Sequence, residues 1–240
     1  MTVMAVFSAL THRSGELYRK LLPIPCLLCG LPGKQEPLCQ ACAAELPLLG
    51  PACQRCAMPL ESAQICGRCL QQPPVSSYSF SLYRYHAAIK RCITAFKFHQ
   101  QLQFADFFAA RMLQQLKADH EPPDCLIPIP LHPLRFRQRG FNQAFEIARR
   151  LARGLDIDCQ ADLLQRVRYT RSQSQLSFNQ RRQNIRRAFD CSTQPVPAHI
   201  AIVDDVMTSG HTTAEAARIL QQNGAETIEV WTIARAISHY

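Results

Sequence analysis

The chain reads as an α/β protein, a mostly parallel sheet with flanking helices, preceded by a small cysteine-rich module. Three observations predict this. From about residue 78 onward, buried-strand patterns alternate with amphipathic helical patterns. The strongest apolar run, "HIAIVDD" at 199–205, leads directly into a hydroxyl-rich loop and another helical pattern. Eight of the twelve cysteines crowd into residues 26–69 as four C-x-x-C pairs.

Taken in order, "YSFSLYRY" at 78–85 alternates at period two and predicts a first strand. "AAIKRCITAF" and "FADFFAARMLQQL" repeat apolar residues at helical spacing and predict two amphipathic helices. "DCLIPIP" at 124–130 is a short buried strand stopped by proline. After a turn at about Leu131 to Arg139, Asn142 opens a helix through about Arg153, with Phe145, Ala148 and Leu151 on one face. The run at 199–205 is the next strand, followed by a helix from about Thr212 to Gln222 that Gly224 ends. "TIEVWTIAR" at 227–235 is the last strand. Strands joined through helices make a mostly parallel sheet, in which ligands gather at the strands' carboxyl ends.

The 240 residues, 47% of them hydrophobic, suffice for a small module beside a medium domain. We expect an N-terminal extension at 1–20, the cysteine module at 21–72, a linker at "QQPPVSS", and the α/β domain at 78–240. No apolar stretch is long enough to span a bilayer. The N-terminal apolar octet has no basic residue before it and no clear small-residue cleavage site, so a cytoplasmic location is expected.

Each half of the cysteine module reads C-x2-C-x9-C-x2-C, and adding 27 to Cys26, Cys29, Cys39 and Cys42 gives Cys53, Cys56, Cys66 and Cys69. Two residues between thiolates let a tight turn aim both sulfurs at one ion, and two such knuckles complete a tetrahedron. Gly30 and Gly67 suit the backbone angles of such turns. Disulfides fit a cytoplasmic chain poorly, and redox pairs normally open a helix in a βαβ setting, so two structural zinc ions are expected. Adjacent pairing within each repeat is the simplest arrangement, and crossed pairing also satisfies the spacing. Cys92, Cys125, Cys159 and Cys191 lie apart and read as buried thiols.

The formal charge is +9, and residues 135–187 hold all of the excess: thirteen Arg against Glu146, Asp156, Asp158 and Asp162. A basic excess confined to one stretch points to an anionic partner, whether ligand phosphates or a nucleic-acid backbone; a solvated arginine-rich loop is the plain alternative.

Asp204 and Asp205 end the strongest strand and point to opposite sides of it. The loop beyond them offers hydroxyls from Thr208, Ser209 and Thr212, close approach at Gly210, and a helix N-terminus, a set that suits phosphate. Carboxylates just before a phosphate cradle suit a sugar phosphate, the acids gripping hydroxyls. A Ser/Thr-capped helix after a strand is the plain alternative. The loop lacks the Lys of a Walker P-loop, and no G-x-S-x-G elbow or H-E-x-x-H pair is present.

"IAIVDDVMTSGHT" resembles the phosphoribosyl-pyrophosphate signature of type I phosphoribosyltransferases. With the tandem cysteine module, "AFKF", "IPIPLHPLRFRQRGFNQA" and "RVRYTRSQSQLSFNQRRQNIRRAF", the chain from about Pro25 is similar to the competence protein F (ComF/GntX) family. The resemblance implies a type I phosphoribosyltransferase-like domain behind a double zinc ribbon. It further implies that Asp204 and Asp205 handle the ribose hydroxyls and form the catalytic pair of any active enzyme. Thr208, Ser209, Gly210, His211 and Thr212 would cradle the 5′-phosphate of phosphoribosyl pyrophosphate (PRPP), bound with Mg²⁺. Ser209 stands where many relatives have Thr, which keeps the hydroxyl. The segment Leu131 to Arg139 would meet pyrophosphate, and residues 166–184, with Arg166, Arg168, Arg171, Arg181 and Arg182, match a mobile flap.

Two functions follow from the resemblance. One is a cytoplasmic component of DNA uptake, natural transformation or use of external DNA. It would bind single-stranded DNA through residues including Arg181, Arg182, Arg186 and Arg187, beside a DNA-uptake helicase or another competence protein. The alternative is an active phosphoribosyltransferase with an unidentified nucleobase or nucleotide acceptor. Few residues remain after the last strand to select a base, so an acceptor would be read by residues 78–123 or the flap.

Overall fold

A computed structural model describes residues 24–32, 36–61, 64–116, 121–170 and 183–237. The expected extension at 1–20 and Arg171, Arg181 and Arg182 lie outside the described residues. The chain divides into two compact units, one ending at Leu46 and one beginning at Pro47, so the boundary falls between the two cysteine repeats.

In the first unit a knuckle opens at Cys26. The Cys26 N–H donates to the Leu31 carbonyl at 2.8 Å, Gly30 donates back to the Cys26 carbonyl at 2.8 Å, and Pro25 bridges Pro32. Gly30 takes φ +77°, which a side chain would disfavour. The short helix α1 (Gln40–Ala44) begins just after Cys39.

The second unit begins by repeating that knuckle 27 residues on. Cys53 donates to Met58 and Ala57 to Cys53, both at 2.8 Å, Ala52 bridges Pro59, and α2 (Gly67–Gln71) follows Cys66. Here Ala57, not a glycine, holds the left-handed position at φ +52°. Gly67 begins α2 instead of making a left-handed turn, because the second knuckle of each repeat is closed by a helix start.

The sheet that follows has five strands: β1 (Tyr78–Arg84), β2 (Cys125–Pro128), β3 (Asp158–Cys159), β6 (His199–Met207) and β7 (Thr227–Arg235). Their order is β1-β7-β6-β2-β3, all paired in parallel. The edge at β1 is covered by residues 47–49: Leu49 donates to the Leu82 carbonyl at 3.0 Å and Arg84 to that of Pro47 at 2.9 Å. Covering an edge removes a free row of backbone groups that would otherwise pair with another chain.

Helices α3 (Ala87–Phe98) and α4 (Gln103–Gln115) form where two amphipathic helices are expected, and Phe96, Phe104 and Phe108 are fully buried between them and Tyr83. The expected turn at 131–139 is mostly a helix, α5 (Pro133–Arg139). Proline at its first position spares an N–H that no helix could satisfy, the His132 ring accepts from Leu134 N–H at 3.3 Å, and Gly140 ends it at φ +82°. In α6 (Gln143–Leu155) the Asn142 side chain caps the start, accepting from Ala144 N–H at 3.0 Å. Its buried stripe is Ala144, Ile147, Ala148 and Leu151, with Phe145 only at the margin. Cys92 and Cys125 are buried thiols as expected, whereas Cys159 and Cys191 are only partly buried.

Two short strands, β4 (Leu164–Arg166) and β5 (Phe189–Cys191), form an antiparallel pair from which the expected flap springs. The last helix, α7 (His211–Gln222), starts one residue before the expected Thr212, with Gly210 as its cap. Ile200 and Ile202 of β6 pack with Ala216, Ala217 and Leu220 of α7, which fixes α7 against the sheet directly behind the 208–212 loop. Among the described residues no helix is long and apolar enough to cross a membrane.

Candidate functional site

Strand β6 runs through Met207, so Asp204 and Asp205 lie within its last residues and not beyond its end. Alternation separates them: Asp204 is partly exposed, whereas Asp205 is 4% exposed. A buried carboxylate needs a partner. Asp205 finds it in Lys97, the penultimate residue of α3, whose ammonium ion-pairs with Asp205 Oδ2. Asp205 Oδ1 accepts from Val206 N–H at 2.9 Å, and Asp204 Oδ1 from Asp205 N–H at 2.8 Å.

Loss of hydration pushes the Asp204 carboxyl up to about 6, although Lys97, Arg166 and Arg139 pull it down. Burial lowers Lys97 to about 8 against the support of Asp204, with Arg139 and Arg135 adding repulsion. Arg166 falls to about 10, chiefly through burial, and Arg139 is lowered for the same reason. The acid pair thus lies within electrostatic reach of several partly desolvated cations, an excess of positive charge suited to a bound anion. Among the described residues the buried Arg166 Nε–H has no hydrogen-bond partner, which is costly unless a ligand atom accepts from it.

Three elements deliver these cations. Arg135 and Arg139 come from α5, whose helical turn places them four apart on one face. Arg135 donates to the Thr170 carbonyl at 2.8 Å, and Arg139 to the Gln143 side chain. Arg166 ends β4, lies over the Phe189 ring at 5.4 Å and donates to Thr170 Oγ1. Lys97 comes from α3.

The loop after β6 places Thr208, Ser209, Gly210, His211 and Thr212 at intermediate exposure. Gly210 adopts φ +77°, Ser209 Oγ lies 3.0 Å from His211 Nδ1, and Thr213 Oγ1 donates to the Gly210 carbonyl at 3.0 Å. The first N–H groups of α7 therefore face the loop, where an anion is favoured.

Arg235, 4% exposed at the end of β7, holds this loop from behind. Its guanidinium donates to the carbonyls of Met207 (3.1 Å), Thr208, Ala236 (2.7 Å) and, through Nε, Cys56 (2.9 Å). The second cysteine knuckle is further joined to β1, Ser79 N–H donating to the Gln54 carbonyl at 2.6 Å and its hydroxyl to that of Arg55 at 2.8 Å.

Of the remaining expected arginines, Arg168 donates to the carbonyls of Asn184 (2.7 Å) and Arg186 (2.6 Å). Arg186 and Arg187 are exposed, and the Arg187 backbone, at φ +54°, donates to Glu215 at 2.7 Å. Sequence reasoning misses Lys97 and Arg235. The signal for Lys97 is only its place between two phenylalanines in "AFKF", and for Arg235 a charge ending an otherwise apolar strand.

Each unit carries one cysteine tetrad, Cys26/Cys29/Cys39/Cys42 and Cys53/Cys56/Cys66/Cys69, with all four sulfurs within 4.8 Å of one another. This settles the pairing as adjacent within each repeat. Cys29 and Cys39 sulfurs are 3.7 Å apart, as are those of Cys56 and Cys66. A tetrahedron with metal–sulfur bonds of about 2.3 Å has edges of about 3.8 Å, so both tetrads fit zinc. Burial raises the Cys26 thiol, but N–H groups of Cys29, Cys39 and Leu28 outweigh it and leave the thiol at about 6. Cys53 is lowered to about 7 in the same way, and Cys66 N–H reaches its sulfur at 3.3 Å. Donors aimed at sulfur favour the thiolate that a metal needs.

A cysteine ribbon pair and an α/β sheet ending in an acid pair and an anion loop define a double zinc ribbon joined to a phosphoribosyltransferase domain. Comparison with known families agrees: a double zinc ribbon domain matches residues 17–70 and a phosphoribosyl transferase domain residues 140–240. The chain is 32% identical over 227 residues to the "DNA utilization protein YhgH" of Salmonella typhimurium, covering 90% of this chain and all of that protein. It is 36% identical over 209 residues to the "Competence protein F" of Haemophilus influenzae (83% and 90%). With the "Competence protein ComFC" of Streptococcus pneumoniae it shares 26% over 227 residues (88% and 99%). The chain belongs to the competence protein F family.

Proposed function

We propose that the protein is a cytoplasmic component of DNA uptake or use of external DNA that binds single-stranded DNA and a phosphoribosyl ligand. One observation carries the ligand half of this reading: Lys97 pairs with Asp205, the charges of Lys97, Arg139 and Arg166 reach Asp204, and a buried N–H on Arg166 has no partner among the described residues. In this reading Asp204 and Asp205 hold the ribose hydroxyls, residues 208–212 the 5′-phosphate, and Arg139, Arg166 and the flap arginines the pyrophosphate. The acid pair would help to hold Mg²⁺ with the ligand, and the ion would supply charge neutralisation. The two ribbons bind structural zinc, and residues 78–240 act with the second ribbon as the ligand-binding body.

The DNA half is supported by the names of the relatives and by the basic excess at 135–187. An uptake helicase or another competence protein would be the partner. Single-stranded DNA should bind with an affinity that falls linearly with salt on logarithmic axes. Exchanging Arg181, Arg182, Arg186 and Arg187 for Ala should flatten that slope; an unchanged slope removes this stretch from the DNA site.

A second reading, an active phosphoribosyltransferase, is favoured by the acid pair and the cations beside it. Those cations would stabilise a departing pyrophosphate as positive charge develops on the ribose. Pyrophosphate release from PRPP with a nucleobase or nucleotide acceptor, lost in Asp204→Ala, is its test.

A further inference from the structure

Phe96 and Phe98 sit two residues apart on α3 and have opposite fates. Phe96 is fully buried, whereas Phe98, the last residue of the helix, is 67% exposed. A lone exposed phenylalanine is ordinary. This one is placed differently. Its neighbour Lys97 is pinned to Asp205, so the end of α3 is fixed beside the acid pair. The Arg139 guanidinium lies over the Phe98 ring at 5.2 Å, and the charge of Asp204 reaches that same guanidinium. A second ring and arginine repeat the arrangement nearby: Arg135 lies over Tyr169 at 5.6 Å, with the tyrosine 49% exposed and Arg135 held by the Thr170 carbonyl. Helix α5 thus presents arginines one turn apart to two exposed rings.

We infer that Phe98, backed by Arg139, is a stacking platform for a purine or pyrimidine ring joined to the sugar phosphate at Asp204. The inference rests on the sugar-phosphate reading above and adds what that reading leaves open, a place for the base. The chemistry follows from the surface. An exposed aromatic face attracts the π-face of any base with little regard to sequence, and a guanidinium held against it keeps the ring in one orientation. The adjacent Asp204 and Asp205 accept from hydroxyls, so ring and acids together match the two halves of a nucleotide. The base can belong to a free ribonucleotide or to the 3′-terminal ribonucleotide of a strand, the two settings in which both sugar hydroxyls are free.

The test compares ribose 5-phosphate, PRPP, uridine 5′-monophosphate and an oligouridylate with a free 3′ end by calorimetry, on the wild type, Phe98→Ala and Phe98→Tyr. Base-bearing ligands should bind the wild type more tightly than ribose 5-phosphate. Phe98→Ala should remove about tenfold of that advantage and Phe98→Tyr should keep it, with ribose 5-phosphate unaffected. An advantage confined to the mononucleotide assigns the platform to free nucleotides; one extending to the oligonucleotide assigns it to strand ends as well. If ribose 5-phosphate binds but the base adds nothing, or Phe98→Ala leaves the advantage intact, the inference is overturned and the sugar-phosphate reading stands. If neither ribose 5-phosphate nor PRPP binds the wild type, both fall. An independent readout is Phe98→Trp: the chain's one natural tryptophan, Trp231, is buried, so a new emission at position 98 should be quenched by uridine 5′-monophosphate and not by ribose 5-phosphate.

Discussion

Lys97 and Asp204 hold charge where the fold disfavours it, and each sits near its titration point at neutral pH. The carboxyl of Asp204 is pushed up to about 6 and the ammonium of Lys97 down to about 8. In the bound state Asp204 must be ionised to accept from hydroxyls, and Lys97 must keep its proton to balance the acids and attract phosphate. Affinity for a sugar phosphate should therefore rise as pH passes about 6 and fall as it passes about 8, a bell that calorimetry across this range would trace. Asp204→Asn should remove the rising limb that remains after the ligand's own titration is subtracted, and Lys97→Arg should move the falling limb upward. Gly210, at φ +77°, belongs to the same site: Gly210→Ala should cost about 1 kcal/mol of stability and weaken phosphate binding, seen by thermal melts with and without ligand. The acid pair is legible in the sequence because two adjacent carboxylates interrupt a strand that is otherwise apolar from Ile200 to Met207, where burial would cost them their hydration. Lys97 is not, because a lone lysine in the last turn of a helix reads as a solvated charge or a dipole partner.

At the level of elements, Arg235 ties three pieces together: the end of β7, the start of the 208–212 loop and the Cys53–Cys56 knuckle. Four buried or half-buried carbonyls depend on one guanidinium, so Arg235→Met should destabilise the second unit by about 3 kcal/mol, measured by denaturant unfolding. Arg235→Lys should recover little of it, since one ammonium cannot reproduce the guanidinium fork. Long elements are legible in the sequence: β1, β6, β7 and the helices α3, α4, α6 and α7 each carry enough periods to declare themselves. Helix α5 is not, because proline at 133 reads as a break when it is the helix's first residue. The two- and three-residue strands β3, β4 and β5 are set by tertiary pairing and offer no period to read.

Across the whole molecule, the two tetrads carry different consequences because they belong to different compact units. Fresh protein should contain two zinc ions per chain. Losing the second site through Cys53→Ser should lower the melting temperature of the unit that begins at Pro47, since that knuckle holds Ser79 and Arg235. Cys26→Ser should leave that transition in place. The tandem spacing makes both tetrads visible in the sequence; the division at 46/47 is not, because it depends on contacts between the second knuckle and strands far along the chain. Most of the functional reading hangs on the acid pair and its surrounding cations forming a site for a phosphoribosyl ligand. Calorimetry with PRPP and Mg²⁺ tests that site most directly. Saturable binding of one ligand per chain to the wild type is expected, lost in Asp204→Ala and weakened at least about tenfold in Arg166→Met. Absence of binding to well-folded, zinc-loaded wild-type protein, or equal binding by Asp204→Ala, would contradict it.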